Sequence, residues 1–150
     1  MSSVRLAFEW QPVGEVVLGS SGRPTFPALP SPDVVGLCRI ELTEDGQRRV
    51  YIVETGRGLA RRWRDYERGT GRSTASRMHL RLLRSLEHPA DAVTVARLVK
   101  LSIFIDEKLA EPEAIPAPFL RKLVENAALV DEHARGAAII NGVGYPPGGR

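Results

Sequence analysis

An arginine and a tyrosine four residues apart, Arg62 and Tyr66, have types and a spacing that suit a chemical role. On a helix, side chains at this spacing lie on the same side and can face one groove. A guanidinium group binds phosphate through paired, planar hydrogen bonds, and a phenol can position or deprotonate a nucleophile. The spacing therefore allows a guanidinium and a phenol to face one groove together. A solvated arginine and a packed tyrosine explain the same two residues without any chemistry.

Positive charge is concentrated in the middle of the chain. From residue 47 to 85, eleven arginines stand against three acidic residues, a net charge of +8, whereas residues 105 to 133 carry −4 and the whole chain +3. So basic a segment is typical of a surface that binds the backbone of a nucleic acid. A composition biased toward arginine, with an ordinary solvated surface, is the alternative.

Other residue classes exclude several kinds of protein. Cys38 is the single cysteine, so an internal disulfide and a cysteine-rich zinc site are excluded, and a reducing cytoplasm is expected. His79, His88 and His133 lack the spacing of metal ligands. No stretch approaches the roughly 18 to 20 apolar residues that cross a bilayer, and the N-terminus lacks the features of a secretory signal. We therefore expect a cytoplasmic protein without a membrane partner.

The elements that must position these residues can be predicted from local patterns. An Asp45-Gly46 turn signal lies between two strand-like stretches, 35–42 and 49–53, which predicts a β-hairpin. The other predicted elements are short strands at 4–8 and 15–18, helices over 59–68 and 119–134, and a strand over 93–99. Between residues 68 and 93 we expect a further helix, capped by Ser73 or Thr74 and closed by Pro89. The expected fold class is α/β of the α+β kind, with a small central three-stranded, mostly antiparallel sheet flanked by helices and a short N-terminal β extension.

The last predicted helix carries an apolar arc that we expect to be buried. Its members on a helical wheel are Phe119, Leu120, Leu123, Val124, Ala127 and Val130. Glu125 lies just outside this arc, at its edge.

Six short pieces of the sequence, in a fixed order, carry a resemblance to a known family. They are Gly36-Leu37-Cys38, Tyr51 to Thr55, Leu59 to Arg62, Tyr66, Leu123 to Val130, and Asn141. In this order they resemble the core of the GIY-YIG nucleases, which include the nuclease domain of the bacterial nucleotide-excision-repair incision subunit and certain homing endonucleases. The resemblance divides the chain into an N-terminal extension (1–34), a GIY-YIG-like nuclease domain (35–141) and a tail expected to be flexible (142–150).

The resemblance implies a DNA endonuclease that hydrolyses phosphodiester bonds with one divalent ion, Mg²⁺ or Mn²⁺. It implies Tyr51, Arg62, Tyr66 and Glu125 as catalytic residues, Glu125 as the metal ligand, and Cys38 and Asn141 as supporting residues. We expect contacts to the DNA backbone from four arginines of the cationic segment: Arg57, Arg61, Arg72 and Arg77. By residue type alone, Arg62 and Glu125 equally suit a solvated helix surface, and the tyrosines suit packing.

Departures from the family pattern leave other functions open. Cys38 stands where the first motif has tyrosine, Val53 stands where the second has glycine, and one extra residue separates Tyr51 from Arg62. A thiol cannot replace a phenol, and a β-branched residue narrows the space beside a strand. A catalytically impaired fold that binds DNA or a partner is therefore the alternative function. A protein-interaction domain using the acidic, proline-rich stretch 106–118 is a third. Sequence preference would come from residues 1–33, from 100–116 or from a second subunit in a homodimer.

Overall fold

A computed structural model of the chain describes residues 2–30, 36–55, 58–69, 73–88, 90–110, 117–136 and 138–139. Within these ranges there are seven strands and three helices. In chain order they are β1 (Val4–Leu18), β2 (Pro24–Thr25), β3 (Leu37–Glu44), β4 (Gln47–Glu54), α1 (Leu59–Arg68), α2 (Ser73–Leu86), β5 (Val93–Ile105), β6 (Lys108–Ala110), α3 (Ala117–Ala134) and β7 (Ala138–Ile139). None of these helices is long and apolar enough to cross a membrane.

The strands form one sheet in the order β2-β1-β5-β3-β4-β7, with β6 paired to β5. Every pairing is antiparallel except the short parallel contact between β4 and β7. The α+β class is therefore confirmed, but the predicted three-stranded sheet was too small. The three strands β3, β4 and β5 form only its centre.

Strand β1 is one continuous strand and not two short ones. It pairs with β5 from Val4 opposite Ile105 to Val16 opposite Val93. The pairing register shifts twice, between Glu9 and Trp10 and between Pro12 and Gly14, and these shifts let the strand continue through residues that usually end a strand. Because β2 pairs with β1 only at Val17 and Leu18, Pro12 lies on an outer edge where its missing N–H costs little.

Two separate apolar layers cover the two faces of the sheet. On one face, Leu59 and Trp63 of α1 and Met78 and Leu82 of α2 pack with Ile40 and neighbouring strand residues. On the other face, Val124 and Ala128 of α3 pack with Leu37, Val50, Ile52 and Leu98. Side chains along a strand alternate between faces, so β4 presents Tyr51 and Val53 toward α1 and presents Ile52 toward α3.

The glycine of the first motif fixes where β3 begins. Gly36 has a φ of 68°, and its carbonyl oxygen accepts a hydrogen bond of 2.8 Å from the Thr55 N–H. A Cβ at residue 36 would collide with the Thr55 carbonyl oxygen. Only glycine combines this backbone conformation with so close an approach, so the start of β3 is held beside the end of β4.

The predicted apolar arc of α3 was correct at Val124, which is buried, and wrong at its margins. Phe119 and Val130 are 70% and 69% exposed, and the helix packs through Val124 and Ala128. Glu132 is buried because its carboxylate pairs with Arg39 of β3, at 2.6 Å from the arginine Nε. This ion pair turns α3 so that a polar residue faces the sheet, which a hydrophobic pattern cannot reveal.

Candidate active site at the edge of the sheet

Two phenols form the centre of the candidate site. Tyr51 projects from β4 toward α1, where Leu59, Trp63 and Tyr66 form the buried side of the helix. The hydroxyl groups of Tyr51 and Tyr66 hydrogen-bond to one another. This bond acts to lower the pKa of Tyr51 and to raise the pKa of Tyr66.

The two phenols resist ionisation. Burial raises the pKa of Tyr51, although the hydrogen bond with Tyr66 and the charge of Arg62 both act to lower it. Burial also raises the pKa of Tyr66, with a further contribution from Tyr51. Both groups are therefore neutral near pH 7 and act as hydrogen-bond donors, not as phenolate bases.

Arg62 lies one helical turn before Tyr66 on α1 and is partly buried. Its positive charge acts on both phenols and lowers the pKa of each. Arg62 and Tyr66 of α1 therefore both lie within electrostatic range of Tyr51 of β4. The exposed part of this guanidinium is free to meet an anion that approaches the phenols.

Glu125 reaches the same place from the opposite face of the sheet. Its negative charge raises the pKa of Tyr51, so the carboxylate and Arg62 both lie within electrostatic range of one phenol. Burial raises the pKa of Glu125 itself, and Lys122 opposes this shift while Glu54 adds to it. Arg62 and Tyr66 of α1 and Glu125 of α3 thus all influence the pKa of Tyr51 on β4.

The meeting point is the outer edge of β4. Strand β7 pairs with β4 only at Arg49 and Val50, so in the described part of the chain no further strand covers the stretch from Tyr51 to Glu54 on that side. Groups from α1 and α3 can therefore approach each other around this edge. A cation, a second phenol and a carboxylate thus act on the phenol of Tyr51.

The two motif departures lie in the packed wall behind the phenols. Cys38 is fully buried, and its Sγ accepts a hydrogen bond of 3.5 Å from Trp63 Nε1. Val53, opposite Cys38 in the strand register, is also buried. Phe26 stacks on Trp63 with ring centroids 5.0 Å apart and lies 6.2 Å from Tyr66. Cys38 therefore supports the site through packing and presents no group to a substrate.

The predicted DNA-contacting residues are only partly described. Arg61 on α1 and Arg77 on α2 are exposed. Arg64 and Arg68 are exposed on α1 as well, so this helix carries a row of arginines on its solvent side. Arg57, Arg72 and Asn141 lie outside the described residues, and their predicted roles stay predictions.

Sequence reasoning missed three residues that touch the site. Lys122 lies between two carboxylates, with Nζ at 3.6 Å from Glu125 and 4.0 Å from Glu54. Strand alternation could have placed Glu54 on the α3 face with Ile52. His79 of α2 lies with Nδ1 2.7 Å from the Tyr66 carbonyl oxygen, which ties α2 to the last turn of α1. Nothing in the sequence pattern indicates that contact.

A divalent ion fits the carboxylates of this site. Among the described residues, no group of three or more His, Cys, Asp or Glu side chains could hold a metal. Mg²⁺, however, is commonly held by one or two carboxylates and keeps several water molecules or phosphate oxygens. Glu125, with Glu54 sharing the same lysine, supplies the oxygen donors that such an ion prefers.

Comparisons of this chain with protein-family models, with curated proteins and with solved structures found no match.

Proposed function

We propose that this chain is a DNA endonuclease of the GIY-YIG type that uses one divalent metal ion. The observation that carries the proposal is the environment of Tyr51. Its phenol hydrogen-bonds to Tyr66 and lies within electrostatic range of both Arg62 and Glu125. The proposal is supported because three of the residues to which the family resemblance assigns catalysis all influence the fourth, Tyr51.

The proposed reaction is hydrolysis of a phosphodiester bond. The oxygen of water bonds to phosphorus, the bond from phosphorus to the leaving oxygen breaks, the attacking water loses a proton and the leaving oxygen gains one. Attack adds negative charge to the phosphate, and Arg62 stabilises that charge. Tyr51, neutral because its pKa is raised, donates a hydrogen bond that orients the phosphate or the attacking water. Tyr66 holds Tyr51 in place.

The metal ion would be held by Glu125. When bound, it supplies positive charge that stabilises the leaving oxygen and orients water. The site suits such an ion because it offers carboxylate oxygens, which are the ligands that Mg²⁺ and Mn²⁺ prefer.

Binding of the DNA backbone would fall to the exposed arginines. Arg61, Arg64 and Arg68 follow one another along the solvent side of α1, the helix that also carries Arg62. Contacts of this kind are independent of base sequence and weaken as salt concentration rises.

A cleavage assay tests the proposal. Purified chain is incubated with duplex, nicked and flapped DNA in Mg²⁺ or Mn²⁺, alongside Glu125→Gln and Arg62→Ala. We expect Glu125→Gln to abolish cutting and Arg62→Ala to slow it by about 10² to 10³ fold, as for the loss of one transition-state donor. Matched controls are Glu107→Gln, in the turn between β5 and β6, and Arg135→Ala, beyond the far end of α3. Both controls should cut like the parent, and equal cutting by all five proteins would disprove the assignment.

A binding module without catalysis is the second candidate, and the burial of Cys38 favours it. The first motif of this chain contributes no phenol to the site, and Val53 fills the space that glycine leaves open. On this candidate the chain binds DNA in a salt-sensitive way and cleaves none of the substrates with either metal. Tyr66, which places a second phenol beside Tyr51 from α1, favours the first candidate.

A further inference from the structure

The ammonium group of Lys122 lies between two carboxylates at the candidate site. Its Nζ is 3.6 Å from Glu125 Oε2 and 4.0 Å from Glu54 Oε2. The two carboxylate side chains are each 17% exposed, whereas the lysine side chain is 66% exposed. The negative charges are therefore held inside the protein surface, and the positive charge comes to them from the solvent side.

Two elements supply this arrangement. Glu54 is the last residue of β4 and belongs to the strand face that packs against α3. Lys122 and Glu125 are three residues apart on α3, which places them on the same side of the helix. The carboxylate of Glu54 is thus brought to Glu125 by the packing of Ile52 and Val50 against Val124 and Ala128.

Two partly buried carboxylates near one another repel, and a cation between them relieves that repulsion. The ammonium of lysine is a compact, strongly hydrated charge on a flexible stem, and its exposed chain can swing into solvent. A divalent ion carries twice the charge and can bond directly to oxygen atoms of both carboxylates. An exposed lysine pair alone contributes little to stability, so removing the lysine leaves the fold intact.

We propose that Glu54 is the second carboxylate of the cation site at Glu125, and that Lys122 occupies this site until a divalent ion displaces it. The inference rests on the proposed function in one respect, the assignment of Glu125 as a metal ligand. The inference adds Glu54 as a second ligand and Lys122 as a cation that competes with the metal ion. Lys122 would lower the affinity for the free ion and restrict loading to conditions in which the metal or a DNA phosphate compensates for the displaced ammonium.

Binding of Mn²⁺ in the absence of DNA tests the proposal without any readout of cutting. Free Mn²⁺ is measured by its electron paramagnetic resonance signal as each protein is titrated. We expect Glu54→Gln and Glu125→Gln each to weaken binding by at least about tenfold. We expect Lys122→Gln to tighten binding several fold. Glu107→Gln and Lys108→Gln, both exposed on the β5–β6 turn region, are the matched controls and should bind like the parent.

Each outcome decides a separate point, provided that circular dichroism shows the same fold for all variants. Parental affinity in Glu54→Gln would overturn the role of Glu54, and weaker binding in Lys122→Gln would overturn the role of the lysine. A parent chain that binds no Mn²⁺ would overturn the whole inference. The predicted pattern of Mn²⁺ binding in a protein that cuts no DNA would support the inference and contradict only the nuclease proposal. Cutting that depends on Glu125 but not on Glu54 would support the nuclease proposal and contradict the inference about Glu54.

Discussion

The hydroxyl group of Tyr66 connects the packed core with the candidate chemistry. The ring is 2% exposed and packs beside Phe26, so the oxygen has little freedom to move. Its hydrogen bond to Tyr51 then fixes the second phenol, which lies closer to the opening. The packing of Tyr66 is therefore compatible with the catalytic role that we propose for it, because the same side chain can serve both purposes.

The raised pKa of Tyr66 has a consequence for stability at alkaline pH. The unfolded phenol ionises near its usual pKa of about 10, whereas burial keeps the folded phenol neutral to higher pH. The stability that this group contributes is complete below the unfolded pKa and is lost as pH rises toward the folded pKa. We expect the Tm of the parent to fall more steeply above about pH 10 than that of Tyr66→Phe. Thermal unfolding followed by circular dichroism across this range checks the prediction, and parallel curves would contradict it.

The four catalytic candidates follow from the family resemblance, whereas the pairing of Lys122 with both Glu54 and Glu125 could not be predicted from the sequence. Arg62 and Tyr66 share a helix face that spacing alone predicts. The carboxylate pair depends on how α3 is rotated against β4, and no local pattern contains that angle. The apolar arc placed Val124 correctly but also included Phe119 and Val130, which are exposed, so it did not fix the rotation of this helix.

At the scale of elements, the position of α3 matters most, because this helix carries Glu125. Its C-terminal half is tied to β3 by Arg39, whose Nε and Nη2 lie 2.6 and 3.2 Å from the two oxygens of Glu132. The positive charge of Arg39 is shared with Glu41 at 3.3 Å. Burial lowers the pKa of this guanidinium, but the carboxylates outweigh it and the pKa is raised overall. The pair orients α3 as well as holding it.

Glu132→Ala should destabilise the fold. The change leaves Arg39 partly buried with one carboxylate fewer, and we expect a loss of about 1 to 3 kcal/mol in the free energy of unfolding. The matched control is Asp131→Ala, which removes the exposed ion pair with Arg135 and should cost less than about 1 kcal/mol. Chemical denaturation of the three proteins measures both values. A loss in Glu132→Ala no larger than in the control would show that the pair does not hold α3.

The bounds of α1 were predictable because its apolar residues recur at helical spacing and Gly69 ends it. Gly69 has a φ of 66°, and its N–H donates to the Asp65 carbonyl oxygen at 2.9 Å. Strand β1 was predicted as two pieces because Pro12 and Gly14 usually interrupt strands. Its continuity depends on pairing with β5, which lies about ninety residues further along the chain, as in Val4 opposite Ile105.

At the scale of the whole molecule, the sheet separates two helical layers, and the site lies where that separation ends. Arg62 and Tyr66 approach from the α1 layer and Glu125 approaches from the α3 layer, around the outer edge of β4. The cationic segment predicted from composition supplies α1 and its exposed arginines. The seven-stranded extent of the sheet was not predictable, because it arises from pairings between distant segments and not from local pattern.

The most direct test of the central claim is a double-mutant cycle on the rate of DNA cleavage. Tyr51→Phe, Arg62→Ala and the combined variant are compared with the parent under single-turnover conditions. If both groups act on one phosphate, the combined variant should be slower than the parent by much less than the product of the two separate losses, each of which we expect to be about 10² fold or more. Losses that multiply, or single variants that cut at the parental rate, would show that the two side chains do not share one active site.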